Sequence, residues 1–554
     1  MKDLQAELHA VFKGEITADT QTRKKYSHDA SIYEMTPEIV VSPKDVLDIK
    51  NLVSFAAEKK PTYPALSLTP RGAGTDMSGA AIGNSILIDM TDHFNTIHTV
   101  SKNQIHTQPG VFMRDLDPLL DQHQVMLGCV PVSRLLCTIG GMVANNSGGE
   151  QSLRYGNTEK FVTQLKVVFA DGNEYTVEPL TKRQLDIKMK QDTYEAALYR
   201  RVFALIEENY DLIHNARPKV NKNSMGYNLW SVWDRTTGIF DMTRLISGSQ
   251  GTLGIITDIQ LRVVPKPKHT GLLVLYLTST SQLGSLIERV MSHHPATFEG
   301  FDDITFELGI KHFNLFRKQL GTKEWAKQQA SLLTSVAAFK GHIPNMVLMI
   351  EFEGASRQEV TDKILTLKKD LKNFKVRTEI ADNEESSSKF WVIRRASLSL
   401  LRQRVKDKYA SPFIDDLTVQ PKYLPEFLPE LRKIIRKYKL PATIAGHFGD
   451  GNFHIIPLMS IEGTPDQAKL EPAMRDIVPL VLKYNGTLAG EHNDGMVRGP
   501  WLPAMFGEEV YHIFKQTKEI FDPQYIFNPH KKTDASWDFS MQHIRTNNRE
   551  ELIR

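Results

Sequence analysis

The chain has 554 residues, too many for one ordinary domain and suited to two or three packed together. Its 41 % apolar and 24 % charged residues are a globular composition, and a formal net charge of +3 gives no argument for a nucleic-acid partner. Two cysteines, Cys129 and Cys137, make neither a disulfide framework nor a zinc motif, so a cytoplasmic location is expected.

The N-terminal residues MKDLQAELHAVFKGEI alternate charged and apolar positions and lack the apolar core of a signal peptide. The longest apolar stretch, around Leu272 to Leu277, is far short of a membrane span. Peripheral attachment at the inner face of a membrane is left open by this composition.

Residues 1–34 read as a helical segment and connector. Ile39 to Ser42 reads as a strand, with Ser42 as the cap of a following helix that has Pro43 in its first turn. The apolar face of that helix is Val46, Ile49, Leu52, Val53 and Ala56. A strand at Ala65 to Leu68 leads into the glycine loop PRGAGTDMSGAAIG (Pro70 to Gly83), and Ser85 to Met90 is the next strand. Backbone N–H groups of such a loop can cradle a phosphate, and Arg71 adds a charge. Met77 breaks the Rossmann fingerprint, and no Gly-Lys follows to make a P-loop. Taken alone, the loop reads equally well as a surface turn.

A second segment, Pro131 to Gly156, holds the pairs Gly140–Gly141 and Gly148–Gly149 among Thr138, Asn145, Asn146 and Ser147, a surface that a large planar cofactor can approach closely. Asp171–Gly172 is a hairpin signal. In a third segment, Ile246 to Pro267, Gly251 and Gly254 lead straight into a strand, and the Pro265–Lys266–Pro267 stretch is the expected domain boundary. Beyond it, LLVLYL, MVLMIEFEG and TIAGHFGDGNFHIIPLM are strands between long helical patterns, an α+β layout.

The hairpin AGHFGDGNFHII (Ala445 to Ile456) carries the densest chemistry. A turn centred on Asp450–Gly451 places His447 directly opposite His454, with Cβ atoms about 5 Å apart on one face, where two imidazoles can share a metal ion. LAGEHNDGMVRGP (Leu488 to Pro500) offers Glu491 as a third ligand, with His492 beside it. Two histidines and a carboxylate leave coordination positions open for substrate. Residues 531–554 are polar and weakly patterned, a tail or docking arm.

Together the three glycine segments resemble the FAD-binding domain of the vanillyl-alcohol-oxidase-type flavoenzymes, and more narrowly the D-lactate, D-2-hydroxyglutarate and glycolate dehydrogenase branch. The resemblance implies an FAD-binding domain over 35–267 and a substrate and metal domain with an antiparallel sheet over 268–530. It implies that Arg71, Gly72, Ala73, Gly74, Thr75, Asp76 and Ser78 hold the FAD pyrophosphate. Pro131, Ser133, Thr138, Gly141, Asn145 and Gly148 would line the flavin and adenosine path, with backbone contacts from Ile255 and Ile256. The first loop has no histidine and Cys137 is shared with members that do not tether the flavin, so non-covalent FAD is expected.

The same resemblance makes His447, His454 and Glu491 ligands of a divalent ion, usually zinc, and His492 the general base. It also assigns Arg394, in a Trp-x-x-Arg context within Trp391 to Lys408, to the substrate carboxylate, with Arg395 as a fallback; the planar guanidinium suits that task. Three departures stand out. Glu-His-Asn-Asp-Gly replaces the usual Glu-His-Gly-Ile-Gly. Ile414 stands where dicarboxylate-specific relatives carry lysine. His530 replaces the glycine of the closing motif. Lys222 to Trp230 resembles a further signature near the flavin, where Asn223 or Tyr227 could shape the pocket. The implied activity is oxidation of a small D-2-hydroxy acid, with electrons leaving to a separate iron–sulfur protein, cytochrome or quinone, because two cysteines are too few for a cluster. The rivals are a redox-neutral alkyl-glycerone-phosphate-synthase-like flavoenzyme and a non-catalytic flavin-binding module.

Overall fold

The computed structural model of the chain describes residues 2–337, 343–382, 384–397, 400–401, 408–460 and 465–545. Its N-terminal part holds two sheets. In the first, Glu15–Thr17, Ile39–Ser42, Ile86–Asp89 and Leu68–Arg71 lie in that spatial order, with parallel pairing of the last three. The Val46–Lys59 helix covers it through Ile49, Leu52, Val53 and Ala56, and the Lys2–Val11 helix adds Leu4 and Leu8 to the same core. The helix begins three residues later than the sequence reading placed it. Asp45 is the cap, taking the N–H groups of Leu47 and Asp48, while Ser42 stays in the strand and donates its hydroxyl to Asp92. A carboxylate accepting two orphan N–H groups wins over a hydroxyl already engaged elsewhere.

The second sheet is antiparallel, in the order Ile97–Val100, Gln104–Thr107, Ile255–Arg262, Val162–Val168, Glu174–Val177. The Asp171–Gly172 turn joins its last two strands, with Gly172 at a φ of +74°.

The C-terminal part is built on a seven-stranded antiparallel sheet in the order Val376–Ala381, His269–Leu277, Met346–Gly354, Thr297–Asp302, Ile444–His447, Asn452–Ile455, Leu417–Thr418. Leu273, Leu275 and Leu277 face one core, and Leu272, Val274 and Tyr276 face another. Burial of both faces explains why this strand reads as an unbroken apolar run. The fold is the expected α+β arrangement with antiparallel sheets.

The two parts interlock. The Leu502–Phe521 helix sends Val510, Ile513, Phe514 and Phe521 into the core of the second sheet, and Ile526 and Phe527 complete the core of the first. Phe527 bridges to Leu68. Of the 531–554 segment, Lys531 to Arg545 are packed down: Lys532 is fully buried, the Trp537–Gln542 helix follows, and Ile544 and Arg545 are buried. Residues 546–554 lie outside the described residues, as do 398–399 and 402–407 of the basic 391–408 stretch. No helix among the described residues is long and apolar enough to cross a membrane.

Candidate active site

A cavity of ≈ 410 Å³ lies where the two parts meet. One wall is made by the glycine segments. Arg71, Gly72, Ala73, Gly74, Thr75 and Asp76 line it from the first; Pro131, Ser133, Thr138, Gly141, Asn145 and Gly148 from the second; Gly251, Gly254 and Ile256 from the third. Ser78 and Ile255 are not on the wall but behind it. Ser78 accepts the N–H of Met496 and ties the loop to the opposite part, and Ile255 packs in the first core. The loop is braced from within: Arg71 donates to the carbonyls of His28 and Ala81, and Asp76 accepts from the N–H groups of Ser78 and Ala80.

These glycines fit a close-lying cofactor. Gly74 sits at a φ of +69° against the Arg71 guanidinium, and a Cβ on Gly72 would meet the Thr138 hydroxyl. A Cβ on Gly148 would come within 2.9 Å of Glu491 Oε2. Cys137, also on the wall, has its thiol pushed up to about 11 by burial, so it stays protonated and unreactive.

The opposite wall holds Arg394, Arg395, Asp415, His454, Glu491 and His492. His447 and His454 converge on Glu491, whose Oε1 is 3.2 Å from Nε2 of each. The hairpin register differs from the expected one: His447 pairs with Asn452, and His454 with Ala445. Asp450–Gly451 is not a two-residue turn. Phe448–Asp450 form a 3₁₀ turn closed by Gly451 in the left-handed region, because Phe448 is buried against Phe453 and Asp450 is buried beside Lys222. The histidines meet as diagonal neighbours on one face, ring centroids 5.1 Å apart.

Each imidazole is oriented from behind. His447 Nδ1 donates to Glu299 Oε1 at 2.6 Å, and His454 Nδ1 lies 3.2 Å from Asp415 Oδ1. Both rings therefore turn Nε2 toward Glu491, the carboxylate–imidazole arrangement that fixes a ligand's tautomer. Burial disfavours the Glu491 anion, but Lys222 and His447 hold its carboxyl well below the usual range. Lys222, fully buried, sits 3.4 Å from both Glu491 Oε2 and Asp450 Oδ2. Two imidazole nitrogens and one carboxylate oxygen, all within 4.8 Å of one another, fit a divalent transition metal.

His492 stacks on His454, and its Nδ1 lies 2.8 Å from Asp415 Oδ2. Burial opposes charge on this ring, but Asp416 and Asp415 outweigh it and raise its pKa to about 9. Asp416 also accepts the N–H groups of Glu491 and His492 on one oxygen, at 2.8 and 2.6 Å. Arg498 donates to the carbonyls of Leu488, Asn493 and Asp415 and locks the same segments together.

Arg394 is buried and on the cavity wall; its Nε donates to Glu299 Oε2 at 3.1 Å. Arg395 is instead held by Glu150 in a two-point pair at 2.9 and 2.7 Å. Asn223 and Tyr227 do not reach the cavity wall; they bond Thr487 and Thr252. Two departures from the family pattern are accommodated locally. Asn493 takes a φ of +60°, which asparagine tolerates, and Asp494 pairs with buried Lys532 at 2.7 Å. His530 adopts a φ of +63° and stacks on Phe539.

Glu299, Lys222, Asp415 and Asp416 escaped the sequence reading. Glu299 had a signal: it is the charged centre of TFEGFD, a strand buried at every position. Asp415–Asp416 is a paired carboxylate next to a short strand.

Residues 37–178 match the FAD binding domain model, and residues 266–532 match the model of FAD linked oxidases, C-terminal domain. The chain carries both domains of the FAD-linked oxidases. It is 26 % identical over 538 residues to a D-2-hydroxyglutarate dehydrogenase of Pseudomonas putida, covering 95 % of this chain and 51 % of that protein. It therefore spans about half the length of that relative. It is 27 % identical to glycolate oxidase subunit GlcD of Bacillus subtilis, covering 96 % of each chain. A solved structure of p-cresol methylhydroxylase with substrate bound shares the fold at a TM-score of 0.66 and 13 % identity, covering 97 % of each chain.

Proposed function

We propose that this FAD-linked protein oxidises a small, lactate-like D-2-hydroxy acid to the 2-oxo acid and passes the electrons to a separate acceptor. The observation that carries the reading is that one cavity has a glycine cradle on one wall and Arg394, His492 and the His447–His454–Glu491 donors on the other. With FAD in the cradle and a divalent ion, zinc by preference, at the three donors, the chemistry available is hydride acceptance by the flavin and polarisation of a substrate hydroxyl.

The chain's own residues supply the rest. Arg394 binds the substrate carboxylate: Glu299 engages one side of its guanidinium and leaves further N–H donors for a ligand. His492, in its neutral form, takes the hydroxyl proton, and Asp415 and Asp416 stabilise the imidazolium that results. Because its pKa is raised to about 9, flavin reduction should speed up as pH rises toward that value. Ile414 is fully buried in the core and offers no cation for a second carboxylate, which favours a monocarboxylate. The acceptor is an iron–sulfur protein, a cytochrome or a quinone, and contact with it at the inner face of a membrane fits a cytoplasmic, peripherally attached enzyme. FAD is held without a covalent bond.

Anaerobic mixing with D- and L-2-hydroxy acids, followed by flavin absorbance, tests this. D-lactate or a close homologue should bleach the flavin far faster than the L form. Bleaching by neither sinks the reading and favours the redox-neutral or non-catalytic alternatives. His492→Ala should slow flavin reduction more than it weakens binding, and Arg394→Ala should impair both.

A further inference from the structure

A second cluster of metal-binding side chains lies outside the cavity, on the antiparallel sheet of the N-terminal part. Ile105, Ile259 and Leu261 face the core of that sheet. Strand alternation therefore turns His106, Asp258 and Gln260 to its outer face. His106 lies opposite Thr99 on the edge strand, and His98 is the extra residue of a bulge: Ile97 pairs with Thr107 and Thr99 with His106. Ile97 packs against the core, so alternation turns His98 outward. The bulge keeps Thr99 on that same outer face, opposite His106.

The result is a convergence of three strands on one carboxylate. His106 Nε2 is 2.7 Å from Asp258 Oδ1, and His98 Nε2 is 3.3 Å from Asp258 Oδ2. The two ring centroids are 4.4 Å apart, and the three ligand atoms fall within 4.8 Å of one another. Lys166 stands opposite Asp258 on the other flank, yet both carboxylate oxygens are turned to the imidazoles. Two imidazolium ions so close would repel, whereas a divalent cation between the nitrogens and the carboxylate satisfies all three groups. Side-chain exposures of 35 %, 28 % and 12 % leave the site open to water for the remaining coordination positions. Nitrogen–oxygen donor sets of this kind suit zinc, nickel or copper rather than calcium or magnesium.

We propose that His98, His106 and Asp258 form a second divalent transition-metal site, on the outer face of the sheet and separate from the cavity. None of the three lines the cavity. A bound ion ties the edge strand to the Ile255–Arg262 strand, whose Ile256 stands on the cofactor wall two residues from Asp258. The ion is a structural clip, and its binding stabilises the folded chain by mass action.

The test is zinc stoichiometry on the full, FAD-loaded chain, stripped with chelator, equilibrated at micromolar free Zn²⁺, desalted and measured by elemental analysis. The expected outcome is two zinc ions for the unsubstituted chain, with the outer ion lost in His106→Ala and in Asp258→Asn. Flavin absorbance retained by both variants confirms that they fold. In His447→Ala, zinc that remains and is removed by adding His106→Ala supports the outer site whatever becomes of the cavity centre. The proposal is overturned if all zinc disappears with His447→Ala alone, or if His106→Ala and Asp258→Asn bind as much as the unsubstituted chain. Zinc should also raise the thermal midpoint of the His447→Ala variant, and a midpoint that does not respond counts against the clip.

Discussion

Glu299 lies beside His447 across the seven-stranded sheet, and its two oxygens serve different sides of the site. Oε1 takes the Nδ1–H of His447 at 2.6 Å, and Oε2 lies 2.9 Å from Nη2 of Arg394. The register that pairs Gly300 with Gly446 brings the two residues together. One buried carboxylate thus orients both the His447 ring and the Arg394 guanidinium. Glu299→Gln keeps the shape but weakens the acceptor for both. Loss of such an orienting partner typically costs about tenfold to a hundredfold in metal affinity. Zinc affinity measured against a competing chelator should fall by that amount while FAD stays bound. An unchanged affinity means that Glu299 does not orient the ligand.

Lys222 is the counter-charge of the buried Asp450 and Glu491 carboxylates. It is 1 % exposed between the carboxylates of Asp450 and Glu491. Lys222→Met fills its volume and leaves two buried anions facing each other. Removing one partner of a buried pair costs about 3–5 kcal/mol. Denaturant unfolding of the metal-free protein should show a loss of that order, partly restored by zinc because the ion supplies the missing positive charge to Glu491. A loss below about 1 kcal/mol would place Lys222 among weak surface-like pairs.

How much of this could be read beforehand depends on the range of the interaction. The glycine segments and the His447 to His454 hairpin are local, and composition with spacing exposes them. The hairpin's register was not local: burial of Phe448 and the charge of Lys222 shift the turn by one position on each strand. The groups that orient the histidines come from Thr297–Asp302 and from the Asp415–Asp416 segment, far away in sequence. No spacing rule reaches them. The interlocking of the two parts was equally hidden, because the Leu502–Phe521 helix carries an ordinary apolar face that does not declare which core receives it.

Both thiols are buried, with pKa values pushed up by desolvation to about 12 for Cys129 and about 11 for Cys137. Only the thiolate attacks alkylating reagents. At pH 8 the folded protein should resist iodoacetamide, and in denaturant both cysteines should react. Mass spectrometry reads the difference. Rapid labelling of Cys137 in the folded state would reopen a covalent role for it at the cofactor wall.

His28 adjoins the Pro70 to Gly83 loop, its carbonyl accepting from Arg71. Burial, then Arg545 and Arg71, depress its imidazole from 6.5 to about 4. The unfolded chain therefore takes up this proton at higher pH than the folded chain does. The stabilising contribution is complete above pH 6.5 and is lost as pH falls toward 4. Denaturation midpoints at pH 7.5 and pH 5 should differ less in His28→Gln than in the unsubstituted chain. An equal difference would show that other groups set the acid limit.

Gly148 joins the glycine-segment wall of the cavity to the His447, His454 and Glu491 cluster. It lines the cavity, and a Cβ added there would lie 2.8 Å from Asn157 Oδ1, 2.9 Å from Glu491 Oε2 and 3.0 Å from Ser152 Oγ. None of these atoms can retreat freely. Asn157 donates to the Gly490 carbonyl, Ser152 receives the Gly149 N–H, and Glu491 is held by Lys222 and two histidines. The least costly response to Gly148→Ala is a small rotation of Glu491 away from the glycine segment. That displaces the one oxygen donor of the triad while adding a methyl group to the cofactor wall. Overpacking of this kind costs about 1–3 kcal/mol, so the chain should still fold. Zinc and FAD affinities should both fall in this single variant, about tenfold or more for zinc, since misplacement of a ligand matters more than that of its neighbours. Fluorescence titration of FAD and chelator competition for zinc measure the two separately. Loss of FAD affinity with zinc binding intact would show that Glu491 does not move with the glycine segment, and that the two walls of the cavity are independent.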